Sequence, residues 1–342
     1  MQIDPFNHPG AWRVSDLGDV EASCVNLREP HISALKRALE RCHDVPLEDL
    51  TVDNFALPEI ADDLASWLAT VRSGRGFVWF RGMPVDGLSV DEACTLFYGL
   101  GTHFGQAVSQ SNDGEIIGHV VNLGGADRRQ RAFQNARALN LHTDRCDHVG
   151  MLCLRPAASG GVSGYASALA VHNEMLRRCP ELVPPLYEGF RLHRFGESAD
   201  GEVLTKAPVP IFSVAEGVPN IIYIRGYIDL AIDEGWYELT DLQKQALDTF
   251  DEIARSPEFC LYMTLASGEA TFTNNSLLLH NRSAFEDHED PALSRHLLRL
   301  WLMDPELPAV DAVRAHKSLQ GIARIDGRGT YYTGTGPAAG VR

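Results

Sequence analysis

The chain has 342 residues, with 30 Lys plus Arg against 46 Asp plus Glu, a formal charge of −16, and 44% hydrophobic residues. A surface of that sign does not displace counterions from phosphates, so nucleic acid and anionic membranes are excluded as expected partners, and the composition excludes wholesale disorder. No apolar run reaches the ~20 residues that span a bilayer, the N-terminus lacks the regions of a secretory signal, and the 7 cysteines contain no CxxC pair, which points to free thiols in a cytoplasmic setting.

Residues 1–110 read as a mainly helical elaboration with one strand. Ile32, Leu35, Ala38 and Leu39 recur at helical spacing, as do Leu57, Ile60, Leu64, Leu68 and Val71. Phe77 to Phe80, bounded by Gly74, Gly76 and Gly82, reads as a strand, and Ser89 with Glu92 forms a capping box ahead of another helix. Over 111–303 the pattern changes to short strands, at 115–121, 136–141, 150–154, 211–214, 221–224, 259–265, 270–273, 276–280 and 297–303. Helices interrupt them at 171–178 and from Thr240, capped by Gln243, to about Arg255. Strands at this density favour a barrel or sandwich over a doubly wound sheet, so the chain is expected to be one mainly β domain with helical insertions. Residues 304–342, rich in Gly, Pro and Ala, read as a tail or lid.

Three His-x-acid triplets occur: His142-Thr-Asp144, His172-Asn-Glu174 and His288-Glu-Asp290. Residues i and i+2 share a face on a strand but diverge by about 200° on a helix. His172 and Glu174 fall in a helix and His288 in an acidic loop, which leaves His142 and Asp144 as the chelating pair. His280, closing an apolar strand after the Asn274-Asn275 turn, is the expected third ligand. Two imidazoles and one carboxylate suit a non-haem Fe(II) oxygenase, while the same set could hold Zn²⁺ and a hydrolytic water. A third reading is a non-enzymatic small-ligand barrel. Arg299 stands in the apolar run Arg295 to Met303, where a guanidinium needs either a buried acid or a ligand carboxylate.

The run Leu141 to Arg155, then Gly160-Gly-Val-Ser163, Asn274 to Arg282 and Arg295 to Met303 together resemble the taurine dioxygenase and clavaminate synthase-like superfamily over about residues 70 to 303. The resemblance implies a double-stranded β-helix, with Fe(II) on His142, Asp144 and His280. It implies 2-oxoglutarate on Arg299, with Ser163 and Arg282 assisting, and O₂ as oxidant. Ser163 keeps a hydroxyl where the family's motif has threonine, although the acidic residue before it is missing. Retention of Asp144 disfavours halogenation and leaves oxidation of an unactivated C–H by hydroxylation, desaturation or cyclisation, with release of succinate and CO₂. Arg145, Asp147, Asn122 and Arg225 are candidate substrate contacts, with His148, Asn140 and Tyr165 nearby, and a mixture of cations and acids suits an amino acid or related small acid. The expected partner is that small molecule, with room left for a homo-oligomer.

Overall fold

The computed structural model describes residues 2–21, 24–124, 135–198 and 200–325. Strand alternation sets its architecture. In the strand His296–Met303 every residue is buried, with Leu298, Leu300 and Leu302 on one face and Leu297, Arg299, Trp301 and Met303 on the other. This strand lies within a large sheet whose order runs Val25–Asn26, Phe77–Arg81, Glu269–Asn274, His148–Arg155, His296–Met303. Beyond it, Gln106–Ala107 and Ile117–Val120 share the edge. A second sheet runs Cys260–Met263, Ser163–Ser167, Leu278–Arg282, Leu139–His142. The sheets face each other as an open double-stranded β-helix, in line with the expected fold class.

Helices seal both outer faces. Glu29–Arg41, Ala61–Arg72 and Val90–Gly101 place Leu35, Trp67 and Phe97 against Phe80, Phe272 and Leu300 of the large sheet. Ala168–Arg178 and Asp241–Arg255 place Met175, Leu247 and Phe250 against Ala166 and Leu279 of the small one. Both capping boxes form, at Ser89 with Glu92 and at Thr240 with Gln243. Between the sheets Trp79, Val120, Cys153, Tyr165 and Leu297 form a separate cluster, and this interior opens onto the site described below.

Three local expectations change. The N-terminal third is more than an elaboration, because Val25–Asn26 and Phe77–Arg81 are strands of the large sheet. The expected strand at 221–224 gives way to Val218–Ile221 followed by a helix, Arg225–Asp233. The tail carries the helix Asp311–Lys317, which buries Val313 and Lys317, while residues 326–342 lie outside the described residues. All seven cysteines are free thiols, and among the described residues no helix is long and apolar enough to cross a membrane.

Candidate active site

His280 sits in the middle of the strand Leu278–Arg282, not at the end of one, and pairs with His142, the last residue of Leu139–His142. Directly opposed residues of an antiparallel ladder project to one face, so the two imidazoles meet with ring centroids 4.3 Å apart. Asp144 lies past the strand end, and alternation alone does not aim it. The Asn275 side chain accepts from the Asp144 N–H at 2.9 Å and donates to the carbonyls of Asp144 and Cys146 at 2.7 and 2.8 Å. Its own N–H donates to the Asp147 carbonyl at 2.8 Å. One buried amide just ahead of the His280 strand thus ties both ligand segments together.

Nε2 of His142 lies 3.7 Å from Asp144 Oδ1, and Nε2 of His280 lies 3.5 Å from Oδ2. One donor atom from each residue falls within 4.8 Å of the others. His142 Nδ1 faces the Asn140 carbonyl at 2.8 Å, which can only accept, so Nδ1 carries the proton and Nε2 presents a lone pair. Burial, then the neighbouring His280, pushes His142 down to about 4, which keeps it in the neutral, metal-binding form. Burial acts to raise the Asp144 carboxyl, but Arg299 first, then His280 and His142, outweigh it and hold the group far below the usual carboxylate range. Trp301 Nε1 donates to Asp144 Oδ2 at 2.8 Å. Two imidazole nitrogens and one carboxylate on one face are the donor set of a non-haem Fe(II) site, and these residues fit that ion.

Arg299 meets one of its two expected kinds of partner, a buried acid. Its Nε donates to Gln110 Oε1 at 2.8 Å and its Nη1 to Asp144 Oδ2 at 3.4 Å, so its partners include the carboxylate ligand itself. Gly118 stands opposite it in the ladder, and a Cβ there would come within 2.9 Å of Gln110 Oε1. Ser163 has a different arginine for a neighbour. Arg295, only 3% exposed, lines a small cavity with Ser163, Gly161, Thr264 and Leu297. Its Nη1 is buried with no hydrogen-bond partner among the described residues. Gly161 has φ +66°, and a Cβ there would stand 3.1 Å from Arg295 Nε, so this glycine is what admits the guanidinium. Arg282 donates Nη2 to the carbonyls of Asn135 and Arg137 and lies over the Phe285 ring, as Arg295 also does. Burial, then the charges of Arg295 and Arg299, pulls Arg282 down to about 10. Three guanidinium groups therefore surround the interior beside the triad.

The remaining sequence candidates scatter. Asp147 is enclosed and paired to Lys317 Nζ at 2.9 Å, so it faces the C-terminal helix and not the triad. Arg225 caps no ligand site; Asp229, Asp248 and Asp251 surround its guanidinium. Asn122 is exposed and donates to Asp287 at 3.0 Å. His148 is buried against the Phe104 carbonyl. Tyr165 pairs with His280 in the ladder and its hydroxyl meets Thr271 Oγ1 at 3.2 Å. Arg145 is buried with Glu197 at 3.2 Å and borders a cavity. Sequence reasoning missed Asn275, Gln110, Trp301, Lys317 and Arg295. The period of two that links Arg295 and Trp301 to Arg299 was the available signal for two of them.

Comparison with known proteins identifies the family and the fold. The model of the taurine catabolism dioxygenase TauD, TfdA family matches residues 43–301. The chain is 31% identical over 306 residues to FR-33289 synthase of Streptomyces rubellomurinus, covering 87% of this chain and 90% of that protein. It is 24% identical over 324 residues to taurine hydroxylase-like protein SAT17 of Stachybotrys chartarum, covering 88% and 80%. Among solved structures it shares the fold of asparagine oxygenase in complex with Fe(II), 3-hydroxyasparagine and succinate, at TM-score 0.64 and 17% identity over 88% of this chain and 99% of that one. It also shares the fold of the non-haem iron oxygenase OrfP in complex with Fe and alpha-ketoglutaric acid, at TM-score 0.61 and 14% identity over 82% and 94%. The chain belongs to the taurine catabolism dioxygenase TauD, TfdA family.

Proposed function

We propose that this dioxygenase hydroxylates an aliphatic C–H of an amino acid or related small acid, using Fe(II), 2-oxoglutarate and O₂. The observation that carries the reading is the convergence of His142, Asp144 and His280, with one donor atom each inside 4.8 Å. Bound there, iron supplies the oxidising chemistry, with 2-oxoglutarate converted to succinate and CO₂. The protein residues orient and shield. His142 and His280 offer Nε2, and Asn275 and Trp301 hold Asp144 in place. Arg299 and Gln110 fix the carboxylate's outer side. Arg295 and Ser163 receive the distal carboxylate of 2-oxoglutarate, a role the sequence assigned to Arg299. What separates the two arginines is position: Arg295 lines the same cavity as Ser163, whereas Arg299 is engaged by Gln110 and Asp144.

The substrate class is supported by the solved relatives, which carry hydroxylated asparagine and arginine. The zinc-hydrolase and non-enzymatic readings lose their support with membership of a dioxygenase family. The enzyme acts on a diffusible molecule in the cytoplasm, with neither nucleic acid nor membrane as partner, and size-exclusion chromatography reads whether it forms a homo-oligomer.

Succinate release measured across a panel of amino acids and small acids tests the activity, with substrate-dependent stimulation expected for an amino acid. Loss of charge-assisted bonds of about 1.5–3 kcal/mol predicts that Arg295→Ala raises the KM for 2-oxoglutarate about 10- to 100-fold. If Arg299→Ala raises that KM and Arg295→Ala leaves it unchanged, the two arginines exchange roles.

A further inference from the structure

A cavity of about 530 Å³ lies beside the loop that follows Asp144, and no residue of the triad lines it. Its walls come from His193 and Arg194, from Asp200 and the stretch Thr205 to Val209, from Tyr227 and from one face of the C-terminal helix, where Asp311, Ala312, Ala315 and His316 recur at helical spacing. Cavities of this size hold small metabolites. Ala207, Val209, Tyr227, Ala312 and Ala315 give it a mostly apolar surface.

Arg145 borders this space and is 8% exposed. Its Nε donates to the His316 carbonyl at 3.1 Å and its Nη1 to Glu197 Oε2 at 3.2 Å, while Nη2 makes no hydrogen bond to the described residues. Guanidinium donors this deeply buried call for an acceptor. Arg194 and Lys206, also on the wall, share the single carboxylate of Asp200 at 2.9 and 3.3 Å. Asp311 is the remaining acid of the lining.

We propose that this cavity is a binding site for a small organic carboxylate with an apolar body, its anionic end on Arg145. Asp144 and Arg145 are consecutive residues, so an occupant orders the backbone that carries the metal carboxylate. The anion has two sources: the remote end of the substrate, or a separate metabolite.

Isothermal titration of hexanoate into the full chain, saturated with Mn(II) and 2-oxoglutarate so that the catalytic pocket does not compete, tests the site. One-to-one binding is expected. Ala312→Leu/Ala315→Leu, which fills the space without touching a charge, and Arg145→Lys, which removes the fork, should each weaken it at least tenfold, with hexylamine not binding. Hexanoate that fails to bind, or binds the filled variant equally well, overturns the proposal, as does tighter binding of hexylamine. A raised substrate KM in the filled variant, with uncoupled 2-oxoglutarate turnover unchanged, identifies the substrate as the source. An unchanged KM with turnover that responds to hexanoate identifies a separate ligand. Since binding is read without turnover, failure of the Fe(II) oxygenase reading leaves this result intact.

Discussion

Asn275→Ala separates the architecture of the metal loop from its ligands. The substitution deletes no ligand, but it removes three buried hydrogen bonds, to the Asp144 N–H and to the carbonyls of Asp144 and Cys146. Each bond contributes about 1 kcal/mol net, and a buried backbone group left unpaired costs about 1–3 kcal/mol, so a total loss of roughly 3–5 kcal/mol is expected unless water enters. Part of this appears as lost stability in urea denaturation. The rest appears at the metal, because outer residues that orient ligands typically change affinity by about 10- to 100-fold. Anaerobic titration of Mn(II) or Fe(II) into the folded variant reads that second part. Asn275→Asp should be worse still, since it sets a carboxylate oxygen against two carbonyls. Wild-type metal affinity in a folded Asn275→Ala protein would refute the claim that this amide aims Asp144.

Trp301→Phe keeps an aromatic ring but removes the 2.8 Å bond to Asp144 Oδ2, and should weaken metal binding about tenfold with little change in the KM for 2-oxoglutarate, as read by paired titration and kinetics. For Asp147, burial acts to raise the carboxyl and Lys317 outweighs it, so its folded value is depressed. Its stabilising contribution is therefore present above about pH 4 and lost as pH falls through that depressed value. Lys317→Met removes the largest opposing charge and leaves only the Asp304 N–H and His148 against burial, so the midpoint of acid unfolding, followed by circular dichroism, should move to higher pH. Phe272 is fully buried and stacks on Phe104 with centroids 4.1 Å apart, so Phe272→Ala should cost about 3–5 kcal/mol in urea denaturation.

Much of this was legible in the sequence because it follows from periodicity. The helical spacing at Leu64, Leu68 and Val71, the boxes at Ser89 and Thr240, and the doubly buried strand ending at Met303 are local patterns, and each forms where expected. The pairing of His142 with His280 was legible as chemistry, since no other His-x-acid triplet had a strand ahead of it. Side-chain traffic around the triad was not. Whether Arg295 or Arg299 approaches Ser163 depends on how two sheets face each other and on the register shift between His296 and Leu297, at the start of the strand that Arg295 precedes. Asp147 read as a ligand candidate because its partner Lys317 is far away in sequence, and Arg225 because the expected strand at 221–224 hid the helix that brings Asp229 alongside it. The helix Asp311–Lys317 was missed because seven residues in a Gly- and Pro-rich tail carry too little periodicity to register.

The most direct test of the account is anaerobic addition of Fe(II) to the protein in the presence of 2-oxoglutarate, followed by visible absorption. Chelation of the 2-oxo acid by iron at an open three-ligand site predicts a weak charge-transfer band that saturates at one equivalent of iron. The band should be absent from His280→Ala and should require higher 2-oxoglutarate in Arg295→Ala. No band in the wild-type protein, or an undiminished band in His280→Ala, would contradict the assignment of His142, Asp144 and His280 as the metal centre.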